Sequence, residues 1–269
     1  MSMVTSGVLE RSDASIYFEV TGKGPALVFA HGLGGNHMSW WQQVPFFADR
    51  HACVTFAHRG FAPSRTDNPN PAEFLDDLVA LLDHLGVREA ALVAQSMGGW
   101  TCLDFAIHYP RRVRALVMSS TCGIVNPQTL APAELQTVQA WMAAHAAMEA
   151  DLFRRGIHPA AGERMAREQP ALEFLYREMD RMTAGLDKNA LRAKLVAART
   201  LPVSRLAELK MPVLYITGTE DIVIPPPLVE ALAAATPGAK LEVVPDTGHS
   251  VYFERAGRFN RVVDEFLTP

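Results

Sequence analysis

The sequence predicts an α/β fold: a doubly wound, mostly parallel eight-stranded sheet with helices on both faces. Three observations predict it. Short apolar runs alternate with longer segments of helical periodicity, the pattern of repeated strand–helix units. Polar or glycine-rich connections follow those runs, at the strand ends where open parallel sheets bind ligands. The chain has 269 residues, 49% hydrophobic and 20% charged, which suits one domain with a large core or a core plus a lid.

In chain order, Val8–Arg11 and Ile16–Val20 flank a Ser-Asp-Ala-Ser turn and read as a hairpin. Ala26–Ala30 is a buried strand leading to a helix near Ser39–Ala48, and Cys53–Phe56 is a strand leading to a helix near Pro71–Leu85. In that second helix Phe74, Leu78, Leu81 and Leu85 form one apolar stripe at spacings of four and three. Ala90–Ala94 is a strand feeding a helix that starts near Gly99, and Ala115–Ser119 closes the first half. Residues 124–205 break the alternation and read as several helices, with stripes Leu135/Val138/Met142, Leu172/Leu175/Met179/Met182 and Leu191/Leu195/Ala198, punctuated by Pro159 and Pro170. Strands resume at Val213–Thr217 and Leu241–Pro245, with a helix near Leu228–Ala235 between them. A C-terminal helix carries Phe259, Val262 and Phe266.

Composition narrows the function. A net charge of −4 offers no basic face, so nucleic acid is an unexpected partner. The three cysteines, Cys53, Cys102 and Cys122, lack paired spacing and argue against a disulfide framework or a zinc site; Cys53 and Cys102 fall in core elements and are expected to be buried. Met1–Gly7 lacks the basic and apolar regions of a secretory leader, and no 18-residue apolar run suggests a membrane span. The expectation is a cytoplasmic protein acting on a small molecule, with no membrane or nucleic-acid partner, no metal and no cofactor.

The chemistry concentrates at strand ends. Ala94-Gln95-Ser96-Met97-Gly98-Gly99 places a serine between a strand and a helix, with small residues two before and two after. That is the spacing of a nucleophile elbow, in which a strained turn holds the hydroxyl out of the sheet beside a helix N-terminus. The plain alternative is a serine in an ordinary tight turn, and the other strand ends argue against it. After Ala26–Ala30 comes His31-Gly32-Leu33-Gly34-Gly35, whose glycines let backbone N–H groups face inward. The Leu33 N–H, paired with the Met97 N–H, is the expected donor pair for a developing oxyanion. A phosphate-binding loop would need Lys followed by Ser or Thr, which this stretch lacks. His31 reads as a residue that pins the loop. After Val213–Thr217 comes Gly218-Thr219-Glu220-Asp221, and after Leu241–Pro245 comes Asp246-Thr247-Gly248-His249, so Ser96, Asp221 and His249 occur in the order nucleophile, acid, base. Glu220 and Asp246 are rival acids.

These motifs, in this order, resemble the α/β-hydrolase-fold serine hydrolases, the branch of esterases, enol-lactonases and haloperoxidase-like enzymes. The resemblance covers the chain apart from about residues 124–205. It implies Ser96 as nucleophile, His249 as general base, Asp221 as the orienting acid, and Leu33 with Met97 as oxyanion donors. It also implies a division into a core, 1–123 and 206–269, and a helical cap, 124–205. Such relatives sometimes carry the acid after the preceding strand, but Ser119–Asn126 contains no carboxylate. One motif departs from the family: Asp-x-Arg-Gly-x-Gly-x-Ser stands here as Ala57-His58-Arg59-Gly60-Phe61-Ala62-Pro63-Ser64. His58 reads either as a substrate contact or, by preference, as a loop histidine without a function.

The chemistry expected of these residues is acyl transfer. A serine hydroxyl needs a base to take its proton, and a carboxylate fixes the imidazole tautomer. The leading expectation is hydrolysis of a small, rather apolar carboxylic ester or lactone through an acyl-enzyme on Ser96. Alternatives are a carbon–carbon bond hydrolase of ring-fission products, a cofactor-free perhydrolase, or a non-catalytic small-molecule receptor. A dehalogenase or epoxide hydrolase would place Asp at position 96. Within the cap, Trp141, Met142, Phe174 and Met179 are the expected pocket residues, with Met148, Phe153 and Met165 as further candidates; the alternative is that they pack the cap against itself and the core.

Overall fold

The computed structural model describes residues 4–268; of the N-terminal segment Met1–Gly7, Met1–Met3 lie outside the described residues. Strands β1 (Val4–Glu10) and β2 (Ala14–Thr21) form the expected hairpin, longer than predicted at both strands. Then follow β3 (Ala26–Ala30), helix α1 (Val44–Phe47), β4 (Ala52–Phe56), the two-residue β5 (Arg65–Thr66), α2 (Phe74–His84), β6 (Ala90–Gln95), α3 (Gly98–His108) and β7 (Val113–Ser119). Five helices come next: α4 (Pro132–His145), α5 (Met148–Arg154), α6 (Gly162–Glu168), α7 (Pro170–Arg181) and α8 (Lys188–Ala197). The chain closes with β8 (Val213–Gly218), α9 (Pro226–Ala235), β9 (Lys240–Val244), α10 (Val251–Glu254) and α11 (Ala256–Leu267).

Eight strands form one path in the order β1-β2-β4-β3-β6-β7-β8-β9, and the short β5 pairs with β2 as a ninth. From β4 to β9 every pairing is parallel; β1 and β2 pair antiparallel. The central strands are buried on both faces, and the alternation of side chains sends neighbours to different cores. Val28, Ala30, Leu92, Ala94, Leu116 and Met118 join the core formed with α2, α3 and α9. Leu27, Phe29, Ala91, Val93, Ala115 and Val117 join the other, with Trp40, Phe47, Tyr252, Phe253 and Phe259. Cys53, Cys102 and Cys122 are buried and free; burial pushes the Cys53 thiol up to about 12.

One predicted helix is absent. Residues 39–48 form a short 3₁₀ turn, His37–Trp40, and the four-residue α1. Pro45 has no N–H to donate and is tolerated only in a first helical turn, so a continuous helix cannot pass through it. Gln43 turns inward instead, its amide donating to the Tyr252 carbonyl at 2.8 Å and to Asn260 Oδ1 at 3.0 Å.

Helices α4–α8 have no core of their own. Val138, Leu191 and Leu195 join the first core, whereas Ala161, Met165, Tyr176 and Met179 join the second. Among the described residues no helix is long and apolar enough to cross a membrane.

Candidate active site

The carboxyl edge of the sheet carries the backbone strain. The three non-glycine residues with positive φ among the described residues follow β6, β7 and β9: Ser96 at 50°, Ser120 at 48° and Asp246 at 52°. Such conformations cost energy and persist only where surrounding contacts enforce them. At Ser96 those contacts are its N–H to the Ser119 carbonyl at 3.0 Å and its carbonyl accepting from Thr121 Oγ1 at 2.7 Å. The flanking glycines are required by close approach. A Cβ on Gly98 would lie 2.1 Å from the Ala30 carbonyl oxygen, and one on Gly99 would lie 2.2 Å from Thr121 Oγ1. The elbow therefore exists because α3 crosses β3 and the β7 loop with no room for a side chain. The Ser96 side chain is half-buried, and its hydroxyl makes no hydrogen bond among the described residues.

The loop after β3 lies directly beside it. A Cβ on Gly32 would fall 3.1 Å from Ser96 Cβ. His31 pins this loop as expected: Nδ1 donates to the Gly32 carbonyl at 2.8 Å, and Nε2 accepts the His58 N–H at 3.0 Å. Burial drives His31 down to about 3, so it stays neutral, which suits a ring with one donating and one accepting nitrogen. The Leu33 and Met97 N–H groups have no acceptor among the described residues, so both remain available as donors.

Asp221 and His249 meet. Nδ1 of His249 lies 2.9 Å from Asp221 Oδ2, with the carboxylate fully buried and the imidazole 2% exposed. Asp221 Oδ1 also accepts the N–H groups of Val223 at 2.8 Å and Ile224 at 2.9 Å, which fixes the carboxylate plane. The rival acids point away. Glu220 is bidentate to Arg164 of α6, at 2.9 and 2.5 Å, and Asp246 accepts from the same guanidinium at 3.1 Å. That pairing with Arg164 holds the Glu220 carboxyl below its usual range. Beside His249, Glu254 Oε2 accepts the Gly248 N–H at 2.9 Å from a buried position, and burial raises its pKa.

The departures in the 57–64 loop leave its frame intact. Ser64 Oγ donates to the Ala57 carbonyl at 2.7 Å and accepts the Tyr17 N–H at 2.7 Å. Arg59, 1% exposed, is bidentate to Asp77 at 2.7 and 2.8 Å and reaches Asp13 at 2.8 Å. His58 is buried among Phe56, Phe61 and Phe74, with Nε2 2.8 Å from Thr101 Oγ1. It is a packing residue.

The expected pocket residues are corrected in part. Trp141 lines a cavity of about 250 Å³ with His145, Met148, Leu152, Ile222 and Gly248, beside the loops that carry Asp221 and His249. Met142 and Phe174 are each 56% exposed and lie on outer faces. Met142 is adjacent to Trp141 on α4 and so is turned about 100° away from it; Phe174 sits under the Arg177 guanidinium while Tyr176 and Met179 face inward. Met179 and Met165 are buried in the second core, Phe153 is exposed, and none of the three lines that cavity.

Several site residues were invisible in the sequence. Gln95 is 1% exposed, its amide nitrogen and oxygen both lack partners among the described residues, and its oxygen is packed against Gly32. Arg164 and Tyr176 reach the site from helices far from Ser96, Asp221 and His249 in sequence, and no local spacing marks them; Glu254 lies six residues after its partner Gly248.

The family model described as alpha/beta hydrolase fold matches residues 25–256. The chain is 28% identical over 273 aligned positions to 3-oxoadipate enol-lactonase 2 of Acinetobacter baylyi, covering 96% of this chain and 95% of that one. It is 26% identical to a 2-hydroxy-6-oxo-6-phenylhexa-2,4-dienoate hydrolase of Comamonas testosteroni, with 95% and 92% covered. Among solved structures it is similar to Est816, an N-acyl homoserine lactone degrading enzyme, with a TM-score of 0.76, 26% identity and 97% and 100% covered. On the match to residues 25–256 and the fold it shares with these hydrolases, the chain belongs to the alpha/beta hydrolase fold family.

Proposed function

We propose that the protein is a serine hydrolase that cleaves a small carboxylic ester or lactone through an acyl-enzyme on Ser96. The observation that carries this reading is the strained Ser96, with a free hydroxyl, at the same sheet edge as a buried Asp221–His249 pair. In this reading His249 takes the Ser96 proton as the hydroxyl attacks the scissile carbonyl. Asp221 holds the imidazole with its hydrogen on Nδ1 and stabilises the imidazolium. The Leu33 and Met97 N–H groups receive the oxyanion, and the imidazolium then protonates the leaving alkoxide. Water, activated by the same histidine, releases the acid. Residues 124–205 act as a cap that sets substrate choice. Likeness to the Acinetobacter enol-lactonase and to Est816 supports a lactone or ester.

A second reading, carbon–carbon bond hydrolysis of a ring-fission product, is favoured by the likeness to the Comamonas hydrolase. A panel of p-nitrophenyl esters, lactones and ring-fission dienones separates the two. The proposal expects turnover of esters or lactones; turnover of dienones alone would replace it with the second reading.

A further inference from the structure

A polar cluster roofs the loop that carries Leu33. It is built from His158, between α5 and α6, Tyr176 and Asp180 of α7, and Lys188 at the start of α8. A Cβ on Gly34 would lie 2.9 Å from the Tyr176 hydroxyl and 3.4 Å from Asp180 Oδ1, so both groups touch the backbone one residue beyond Leu33. Lys188 Nζ donates to the Asp180 carbonyl at 2.7 Å and to Asp180 Oδ1 at 2.5 Å. His158 Nδ1 accepts the Ala160 N–H at 3.1 Å, which puts the ring hydrogen on Nε2, 3.8 Å from Asp180 Oδ1. The Tyr176 ring packs on Phe253, four residues beyond the candidate base, with centroids 5.3 Å apart. The cluster thus touches both the Gly32–Gly35 loop and the segment that follows His249.

The free valences of this cluster define what it can bind. An ammonium has three donors, and two are used within Asp180. A carboxylate has two acceptor oxygens, and Asp180 Oδ2 has no partner among the described residues. Burial, opposed by Asp180 and reinforced by Lys188, lowers His158 to about 4, so it adds no charge at neutral pH. The side chains of Lys188, Asp180 and His158 keep 21%, 24% and 22% exposure, so a ligand can reach them. What remains is one N–H donor beside one oxygen acceptor in a part-exposed cluster where the Lys188 and Asp180 charges offset each other. An anionic substituent meets the Asp180 carboxylate and a cationic one meets the Lys188 ammonium. A neutral group that both donates and accepts satisfies both.

We propose that Asp180 and Lys188, backed by His158 and Tyr176, form a specificity site that recognises a hydroxyl or amide on the acyl portion of the substrate. The inference rests on Ser96 acting as the nucleophile, and it narrows the substrate class from esters and lactones in general to those bearing such a group. Sites built to hydrogen-bond a substrate group discriminate strongly against the analogue lacking it, because their own buried groups are then left unpaired.

The test compares kcat/KM for three p-nitrophenyl esters of matched length, those of N-acetylglycine, pentanoate and succinate, each divided by its alkaline hydrolysis rate. The wild type is expected to favour the N-acetylglycine ester over pentanoate by roughly tenfold or more, with the succinate half-ester below both. Lys188→Met and, independently, the isosteric Asp180→Asn should each bring the first ratio close to one; the ratio cancels any general loss from misfolding. A wild-type ratio near one, a ratio that survives both substitutions, or a preference for succinate would overturn the proposal while leaving Ser96 in place. Failure to turn over any ester would remove the nucleophile and this specificity site together.

Discussion

His249 Nδ1 lies 2.9 Å from Asp221 Oδ2, and the same carboxylate accepts the Val223 and Ile224 N–H groups through Oδ1. The two residues are 28 positions apart and follow adjacent parallel strands, β8 and β9. Three donors converge on one carboxylate that has no exposure, so its orientation is set by the backbone of its own loop rather than by the histidine alone. Such a carboxylate can hold an imidazole in one tautomer through a catalytic cycle.

Asp221→Asn should therefore preserve the packing and lose activity. The amide can present an N–H to Nδ1 and select the wrong tautomer, at a cost of about 10⁴ in kcat. Glu220→Gln and Asp246→Asn should each cost less than roughly tenfold, because both residues engage Arg164 at the surface and neither touches His249. Steady-state kinetics on p-nitrophenyl acetate with the three variants decides this. A crippled Glu220→Gln beside a near-normal Asp221→Asn would move the acid by one residue.

Arg59→Met should destabilise the fold by about 3 kcal/mol, since it removes the bidentate partner of the buried Asp77 carboxylate and leaves it only the part-exposed Arg11, 3.3 Å from Oδ1. Replacing both partners, Arg59→Met with Asp77→Leu, should recover much of that loss. Urea unfolding of the two single variants and the pair measures it. Additive losses in the double variant would show that the pair contributes by something other than mutual charge compensation.

Stability should fall with pH on the acid side of neutrality. His31 titrates at about 3 in the fold and near 6.5 when unfolded, so its contribution is complete above about pH 6.5 and is lost progressively as the pH drops from there toward 3. At pH 5 this one residue lowers stability by about 2 kcal/mol relative to pH 7.5. His58 and His158, also held low by burial, act in the same direction. Glu254, raised by burial, acts in the opposite sense: its contribution is present at low pH and is lost as the pH rises through its folded pKa. Unfolding free energy should be lower at pH 5.0 than at pH 7.5, and a flat profile would contradict neutral burial of these rings.

The fold and the turns at the carboxyl edge of the sheet were legible because they are local. A buried run ending in a small-residue turn specifies the β6 elbow within six residues, and Asp221 and His249 each follow a strand directly. Even the choice between Glu220 and Asp221 has a local cause: adjacent side chains point in different directions, and only one points inward. The helical segment was not legible for the converse reason. Periodicity marks which face of α4 or α7 is apolar, but not whether that face meets a pocket, a core or nothing. Thus Met142 and Phe174 match the composition of a pocket and lie outside it, whereas Tyr176 and Asp180 meet Gly34 across more than 140 residues of sequence. The break within 39–48 also has a local cause, since Pro45 stands in its middle.

The central claim is that Ser96 is the nucleophile, and covalent labelling tests it most directly. Wild-type protein treated with a fluorophosphonate should gain one adduct, which peptide mass mapping should locate on Ser96, and Ser96→Ala should gain none while keeping the wild-type circular dichroism spectrum. An adduct on any other residue, or none on a wild type that still turns over esters, would contradict the account.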